Sequence, residues 1–334
     1  MKKILLIATG GTIASKPTGS GLAPQITSEE IISCVPELAS LCQVSTLQLC
    51  NLDSTNLNCD HWLAMARCIE DNYRDYDGFV ITHGTDTMAY SAAALSYLVQ
   101  NSRKPIVLTG SQKSIYVRDT DARRNLYDAF LYACDEQAHN VHLVFDGKVI
   151  LGTRARKTRT KSFNAFSSID YPEIAVVRGG KLVYFVPDTA AYPRYPLFYH
   201  ALDPKVFVLK LIPGIDPSIL TYLKDHYDAV ILESFGVGGV PSYNGDSAFT
   251  DAIRDWIDSG KTVVITTQVP HEGSDMGVYE VGHSIKNDYG VLENYDMPLE
   301  AVVTKIMWIL GQTKDPELVR YIFYTPVQKD IIAT

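Results

Sequence analysis

The sequence predicts an α/β protein of two domains, a larger amino-terminal one built on a parallel sheet and a smaller carboxyl-terminal one of the same class. Three observations predict it. Short apolar runs recur along the chain, and several close on a loop of glycine and hydroxyl residues. Stretches with helical spacing alternate with those runs, the order expected of a parallel sheet with helices on both faces. The pattern lapses over 186–204, where Pro187, Pro193, Pro196 and Pro204 sit among tyrosines without any period, and then resumes in shorter form. We therefore expect a first domain over 1–185, a linker over 186–204 and a second domain over 205–334.

The elements follow in order. Residues 4–8 are all apolar and stop at Thr9-Gly10-Gly11-Thr12, which reads as a buried strand entering a tight loop. Paired glycines let the backbone approach a ligand and leave the Thr12 hydroxyl at the carboxyl end of the strand, the edge where open α/β sheets bind ligands. Residues 17–24 are rich in Gly, Ser, Pro and Thr, and predict a mobile loop. Thr27-Ser28-Glu29-Glu30 is a helix start with acidic residues in its first turn. A strand over 44–49 ends in the turn-forming run Asn51-Leu52-Asp53-Ser54-Thr55-Asn56, and a helix over 60–71 follows with Asp60 as its cap.

Residues 78–82 form a second buried strand that ends in His83-Gly84-Thr85-Asp86-Thr87. The helix over 88–98 carries Ala92, Ala93 and Ala94, suited to close packing on a sheet. A strand over 105–109 closes on Gly110-Ser111-Gln112; a helix over 122–134, a strand over 141–145 and an extended stretch over 149–152 complete the domain. The second domain has strands over 206–211, 229–232 and 262–266, with helices over 217–225, 247–258 and 299–310. Three glycine loops thus bring Thr12, then Thr85 with Asp86, then Ser111 to one sheet edge, and repeated polar loops at one edge predict a ligand site.

Composition narrows the ligand. Apolar residues make up 46% and charged residues 20% of the 334, as in a globular protein, and the net charge of -8 argues against nucleic acid or a membrane surface as partner. The six cysteines all precede residue 135, form no C-x-x-C pair and match no zinc spacing, so reduced, buried thiols are expected. His83 has no second ligand at helical spacing, and His271 has only Glu272 beside it; no metal is expected. The G-x-G-x-x-G spacing of a dinucleotide site is missing after the first strand, so no cofactor is expected. The apolar stretch at the amino terminus is too short for a signal-peptide core, and no run reaches the length of a membrane span. A cytoplasmic protein is the expectation.

A hydroxyl becomes a nucleophile only when a group takes its proton and donors stabilise the oxyanion it creates. Thr12 has the neighbouring backbone N–H groups of its glycine loop, and Thr85 has a carboxylate beside it in Asp86. A desolvated lysine close to Thr85 would favour loss of its proton. Gly152-Thr153-Arg154-Ala155-Arg156-Lys157-Thr158 offers Arg154, Arg156 and Lys157 equally on spacing, and the simplest reading of that cluster is a solvated basic face.

Thr9-Gly10-Gly11-Thr12-Ile13-Ala14, His83-Gly84-Thr85-Asp86-Thr87-Met88 and Gly152-x-Arg154-x-x-Lys157 together resemble the bacterial-type L-asparaginases, most closely the cytoplasmic type I enzymes. The resemblance spans the chain and includes Asn51-Leu52-Asp53-Ser54-Thr55, Leu108-Thr109-Gly110-Ser111 and Glu233-Ser234-Phe235-Gly236-Val237-Gly238. It implies a flavodoxin-like larger domain and an amidohydrolase that converts L-asparagine and water to L-aspartate and ammonia through a threonine-bound β-aspartyl intermediate. It implies a homodimer or homotetramer with active sites near subunit contacts. By motif, Thr12 is the nucleophile, and Thr85, Asp86 and Lys157 form a second hydroxyl, carboxylate and ammonium set. Asp53, Ser54 and Thr55, with Thr12, Thr85 and Asp86, hold the substrate.

Three positions depart from the family pattern. Leu22 stands where a tyrosine that helps activate the nucleophile is usual, so no first base is named. Gly239 stands where many relatives place an asparagine that reaches a neighbour's site. Val269 stands near where type I relatives place a cysteine beside a second, regulatory asparagine site, so that regulation is not expected here. The alternatives are a glutaminase-asparaginase, a non-catalytic asparagine sensor, and the asparaginase-like subunit of a tRNA amidotransferase, which would normally carry an extra domain before the first strand.

Overall fold

A computed structural model describes residues 1–18, 21–187, 195–278 and 290–332. The chain divides into two compact units, Met1–His200 and Ala201–Thr334.

The first unit is organised by an eight-stranded sheet. Its leading strand β1 (Lys3–Gly10) is buried beyond Lys3 and runs parallel to neighbours on both sides. After β1 come a short hairpin, β2 (Ser15–Thr18) and β3 (Gly21–Pro24), and then β4 (Gln43–Leu52). β5 (Gly78–Thr82), β6 (Val99–Gln100), β7 (Pro105–Thr109), β8 (Asn140–Phe145) and β9 (Lys148–Leu151) follow. β10 (Ala155–Lys157) and β11 (Phe166–Ser168) form a hairpin, as do β12 (Ala175–Arg178) and β13 (Lys181–Tyr184). The sheet order is β13-β12-β9-β8-β7-β5-β1-β4. Strands β4, β1, β5, β7 and β8 are parallel, and β9, β12 and β13 extend the sheet with antiparallel pairings.

This is the flavodoxin-like arrangement. From β1 the chain steps to one side for β4 and returns to the other for β5, so the strand order reverses at β1. A reversal of that kind opens a crevice at the carboxyl ends of the strands.

The interior of the sheet follows from its residues. β5 and β7 are buried at every position, and their bounds coincide with the apolar runs 78–82 and 105–109. The helix Met88–Leu98 is buried on nearly all sides, and its alanines let it lie close to the sheet. Gly152 completes that fit, since a Cβ there would lie 2.5 Å from Ser96 Oγ and 2.8 Å from the Ala92 carbonyl.

Several elements differ from expectation. The helix expected over 60–71 spans Cys59–Asn72, and Asn58 is its cap, because Asn58 has extended backbone angles and its side chain accepts from the N–H groups of Asp60 and His61. The mobile loop expected over 17–24 contains the β2/β3 hairpin, with Ser15 opposite Pro24 and Thr18 opposite Gly21; residues 19 and 20 lie outside the described residues. Of the proposed linker, 188–194 lies outside the described residues. Strand β14 (Leu197–Phe198) pairs with β6 inside the first unit.

In the second unit, β15 (Val206–Lys210), β16 (Ala229–Ser234), β17 (Thr262–Thr267) and β18 (Leu292–Glu293) form a parallel sheet in chain order. Its core gathers Leu220, Leu232, Phe249, Ile253, Trp256 and Ile265, and the Trp256 indole donates to the Leu220 carbonyl at 2.8 Å. The helix Leu299–Gln312 carries Lys305, fully buried and paired with the equally buried Asp330 at 2.6 Å. Strand β18 and the helix Pro316–Tyr324 have no counterpart in the sequence expectations. Among the described residues no helix is long and apolar enough to cross a membrane.

Candidate active site

Three turns meet at the crevice beside β1, and glycines make the meeting possible. Gly10 (φ 105°) lies against the β4 end, where a Cβ would stand 2.5 Å from both the backbone nitrogen and the carbonyl oxygen of Leu52. Gly11 (φ 79°) lies against the turn after β5, where a Cβ would overlap the backbone nitrogen and Cα of Gly84. At Gly84 a Cβ would fall 2.6 Å from Ser54 Oγ. Thr12 and Thr85, the residues following Gly11 and Gly84, therefore sit on adjoining turns, with Ser54 packed beneath.

The first turn is shaped by a register shift between β1 and β4. Ala8 pairs with Gln48 but Gly10 pairs with Leu52, and the Gly11 N–H donates to the Leu52 carbonyl at 2.9 Å. That bond takes Gly11 N–H out of the donors expected for an oxyanion. Thr12 opens the single 3₁₀ turn Thr12–Ala14, with Gly11 in the capping position, and is half-buried. Its neighbours fix it: Ile13 and Ala14 are buried, and the Ser15 hydroxyl donates to the Gly11 carbonyl at 3.0 Å. Leu22 lies in β3 opposite Pro17.

The second turn carries Thr85, which is 5% exposed, and Asp86. Lys157 reaches both: its Nζ donates to Thr85 Oγ1 at 2.8 Å and to Asp86 Oδ1 at 2.6 Å. The lysine side chain is largely buried and the aspartate side chain is more than half exposed, so the pair stands with its anionic end toward solvent. His83 braces the turn from below. Trp62 Nε1 donates to Ser91 Oγ at 2.8 Å, and that hydroxyl lies 2.8 Å from His83 Nε2. A hydroxyl that receives the indole proton gives its own to Nε2, which leaves the ring proton on Nδ1 for the Gly84 carbonyl at 2.7 Å. Complete burial pushes the His83 pKa down to about 4, so the ring is neutral.

The third turn holds Asp53, Ser54 and Thr55. Ser54 is buried, and its carbonyl accepts from the Thr87 hydroxyl at 2.8 Å, which ties this turn to the second. Asp53 caps the turn by accepting from the Thr55 N–H at 2.9 Å and the Thr55 hydroxyl at 2.8 Å. The Thr55 hydroxyl is thus turned to its own loop.

Of the three cations left open by spacing, the structure selects Lys157. Arg154 is fully buried, with its guanidinium 5.6 Å from the Tyr171 ring and Nη1 donating to the Ile169 carbonyl at 3.5 Å. Strand alternation places Arg156 on the face of β10 opposite Ala155 and Lys157. The hairpin that carries Lys157 is anchored by Phe166, opposite Lys157 in register, whose buried ring meets Phe145 edge-on at 5.0 Å. The basic segment is therefore buried as far as Ala155, and Lys157 is the cation that meets Thr85 and Asp86.

Ser111 does not reach the site. It is fully buried and its hydroxyl donates to the Lys113 carbonyl at 2.5 Å. The loop after β7 instead delivers Gln112, whose Oε1 accepts from the Thr85 hydroxyl at 3.3 Å. Its place directly after Gly110-Ser111 is the one signal in the sequence.

A family model described as Asparaginase, N-terminal, matches residues 3–189, and one described as Glutaminase/Asparaginase C-terminal domain matches residues 205–323. The L-asparaginase of Thermococcus kodakarensis is 37% identical over 98% of this chain and 99% of its own length. A solved structure of the thermostable L-asparaginase from that organism superposes with a TM-score of 0.91 at 36% identity, covering 99% of this chain and all of the other. L-asparaginase 1 of Escherichia coli K12 is 31% identical over 96% of this chain and 95% of its own. A glutamyl-tRNA(Gln) amidotransferase chain of Methanosarcina mazei is 32% identical over 95% of this chain and 76% of its own. A family match over each half, and relatives matched along nearly the whole sequence, place the chain in the asparaginase family.

Proposed function

We propose that the chain hydrolyses the side-chain amide of L-asparagine through an ester on Thr12, with Thr85, Asp86 and Lys157 as the companion set. The observation that carries this reading is the contact of Gly11 with Gly84, which puts Thr12 beside a threonine whose oxygen is held by a largely buried lysine. In the first step the Thr12 oxygen gives up its proton and attacks the amide carbon, the C–N bond breaks, and the NH2 group leaves as ammonia after gaining one proton. In the second, water attacks the β-aspartyl ester and frees aspartate and the Thr12 hydroxyl. Lys157 holds the Thr85 oxygen in place and, through Asp86, keeps a carboxylate at the mouth of the site to meet the substrate's α-ammonium. Ser54 and the capped turn around it suit the α-carboxylate, with Asp53 and Thr55 shaping that turn.

None of the six cysteines, all among the described residues, is joined in a disulfide, which supports a reducing, cytoplasmic setting, and the resemblance to type I enzymes supports a homo-oligomer. Ammonia release measured against L-asparagine, L-glutamine and D-asparagine tests the substrate. Release from L-asparagine is the expected result, and none from any amide would leave a sensor. Thr12→Ala and Lys157→Met test the site: each should fold and lower kcat by roughly 10^3- to 10^6-fold, as loss of a residue from an acyl-transfer unit does. Near-full activity of Thr12→Ala would overturn the assignment.

A further inference from the structure

Gln112 has no part in the steps above, yet it is the second partner of the Thr85 hydroxyl. Its amide spans two loops: Oε1 faces Thr85 Oγ1 at 3.3 Å, and Nε2 donates to the Ser162 carbonyl at 3.1 Å. The Ser162 contact settles which way round the amide sits, because a carbonyl oxygen can only accept. With Nε2 turned to Ser162, Oε1 must face Thr85, and it too can only accept. The single hydroxyl proton of Thr85 is then aimed at Gln112, and its lone pairs at Lys157 Nζ, 2.8 Å away. A flipped amide would place two donors on Thr85 and oppose two oxygens at Ser162.

The Gln112 backbone is itself fixed. The Asp121 carboxylate accepts the N–H groups of Gln112 at 2.9 Å and Lys113 at 3.1 Å, and the Asn125 amide at 3.2 Å. Among the described residues, the charged groups facing Gln112 include Asp121 and Lys113 on its own loop, Lys157 and Asp86 across Thr85, and Lys161 next to Ser162.

We infer that Gln112 is a positioning residue that sets the Thr85 hydroxyl rotor and so keeps the Thr85 lone pairs on Lys157 in the free enzyme. The inference rests on the roles proposed for Thr85 and Lys157. At 3.3 Å the bond is longer than a tight O–H···O contact of about 2.7 Å. It orients the hydroxyl and still releases the proton when substrate engages the site.

The test compares Gln112→Met and Gln112→Glu in the full chain, with Lys157→Met alongside. Methionine keeps the length and removes the acceptor, whereas glutamate keeps an acceptor oxygen for Thr85. Gln112→Met should lower kcat for L-asparagine roughly tenfold, the worth of one oriented hydrogen bond, with KM within about twofold. Gln112→Glu keeps the acceptor for Thr85 but, ionised, sets an oxygen against the Ser162 carbonyl, so it should lose less kcat than Gln112→Met at neutral pH. It should approach wild type, compared at the same pH, as its carboxyl is protonated and can donate to Ser162, a dependence that a packing role would not produce. If Gln112→Met stays within about twofold of wild type, or if both variants lose kcat equally in step with a lower Tm, the inference is overturned. Full activity of Lys157→Met would overturn the reading of the site, and the inference with it.

Discussion

At the scale of single residues, glycines decide how closely the turns of the site can meet. Gly11 is doubly constrained, by its left-handed backbone and by the Gly84 backbone against it. Gly260 shares the left-handed backbone (φ 75°) but has nothing within 4 Å of a Cβ. Gly260→Ala should therefore cost only about 1 kcal/mol of unfolding free energy and leave activity intact. Gly11→Ala should cost more than the roughly 1–3 kcal/mol of backbone strain alone and abolish ammonia release, because the two threonine turns must separate. Denaturant titration with parallel assays checks both. His83 gives a second expectation. Its unfolded imidazole takes a proton near pH 6.5 and its folded one only near 4, so the unfolded state binds more protons between those values. His83 thus stabilises the fold fully above pH 6.5 and progressively less as the pH falls toward 4. An NMR titration should find its ring neutral from pH 8 to about 5, and a midpoint near 6.5 would contradict the brace.

At the scale of elements, what could be read in advance follows burial. Strands β5 and β7 and the helix Met88–Leu98 are enclosed, so their apolar runs begin and end where the elements do. The β10/β11 hairpin could not be read that way, because Ala155-Arg156-Lys157 has no apolar run. Its strand form comes from pairing with Phe166, Ser167 and Ser168. The same holds for β14, two residues that become a strand only by meeting β6. Asn58 and Asp60 are both capping residue types, and the extended backbone at 58, with the N–H bonds its side chain accepts, distinguishes them. The hairpin gives a prediction at its own scale. Phe166→Ala should remove the contact with Phe145, destabilise the first unit by about 3–5 kcal/mol and lower kcat by loosening Lys157. Equilibrium unfolding and kcat measured on the same preparation check it.

At the scale of the whole molecule, each unit has its own core and its own buried polar anchor. In the second unit the Lys305–Asp330 pair ties the last residues to the helix Leu299–Gln312, and Lys305 Nζ also donates to the Thr325 carbonyl at 3.0 Å. Asp330→Asn removes the counter-charge of a buried ammonium and should destabilise that unit by about 3–5 kcal/mol, read as a lower denaturant midpoint. The two-unit α/β plan was visible in the alternation of apolar runs, and the three site loops in their glycines and hydroxyls. Their meeting at one sheet edge was expected as well, but with Ser111 as the third member; that the loop after β7 brings Gln112 to Thr85 instead was not visible. Spacing alone left Lys157 level with Arg154, and only the motif favoured Lys157, because nothing in the spacing tells that Arg154 is turned inward beneath Tyr171. The central claim is that Thr12 carries the acyl group. Acid-quenched turnover of L-asparagine, followed by proteolysis and mass spectrometry, tests it most directly. The account predicts one aspartyl adduct, on the peptide containing Thr12 and absent from Thr12→Ala. An adduct on Thr85, or one that persists in Thr12→Ala, would contradict it.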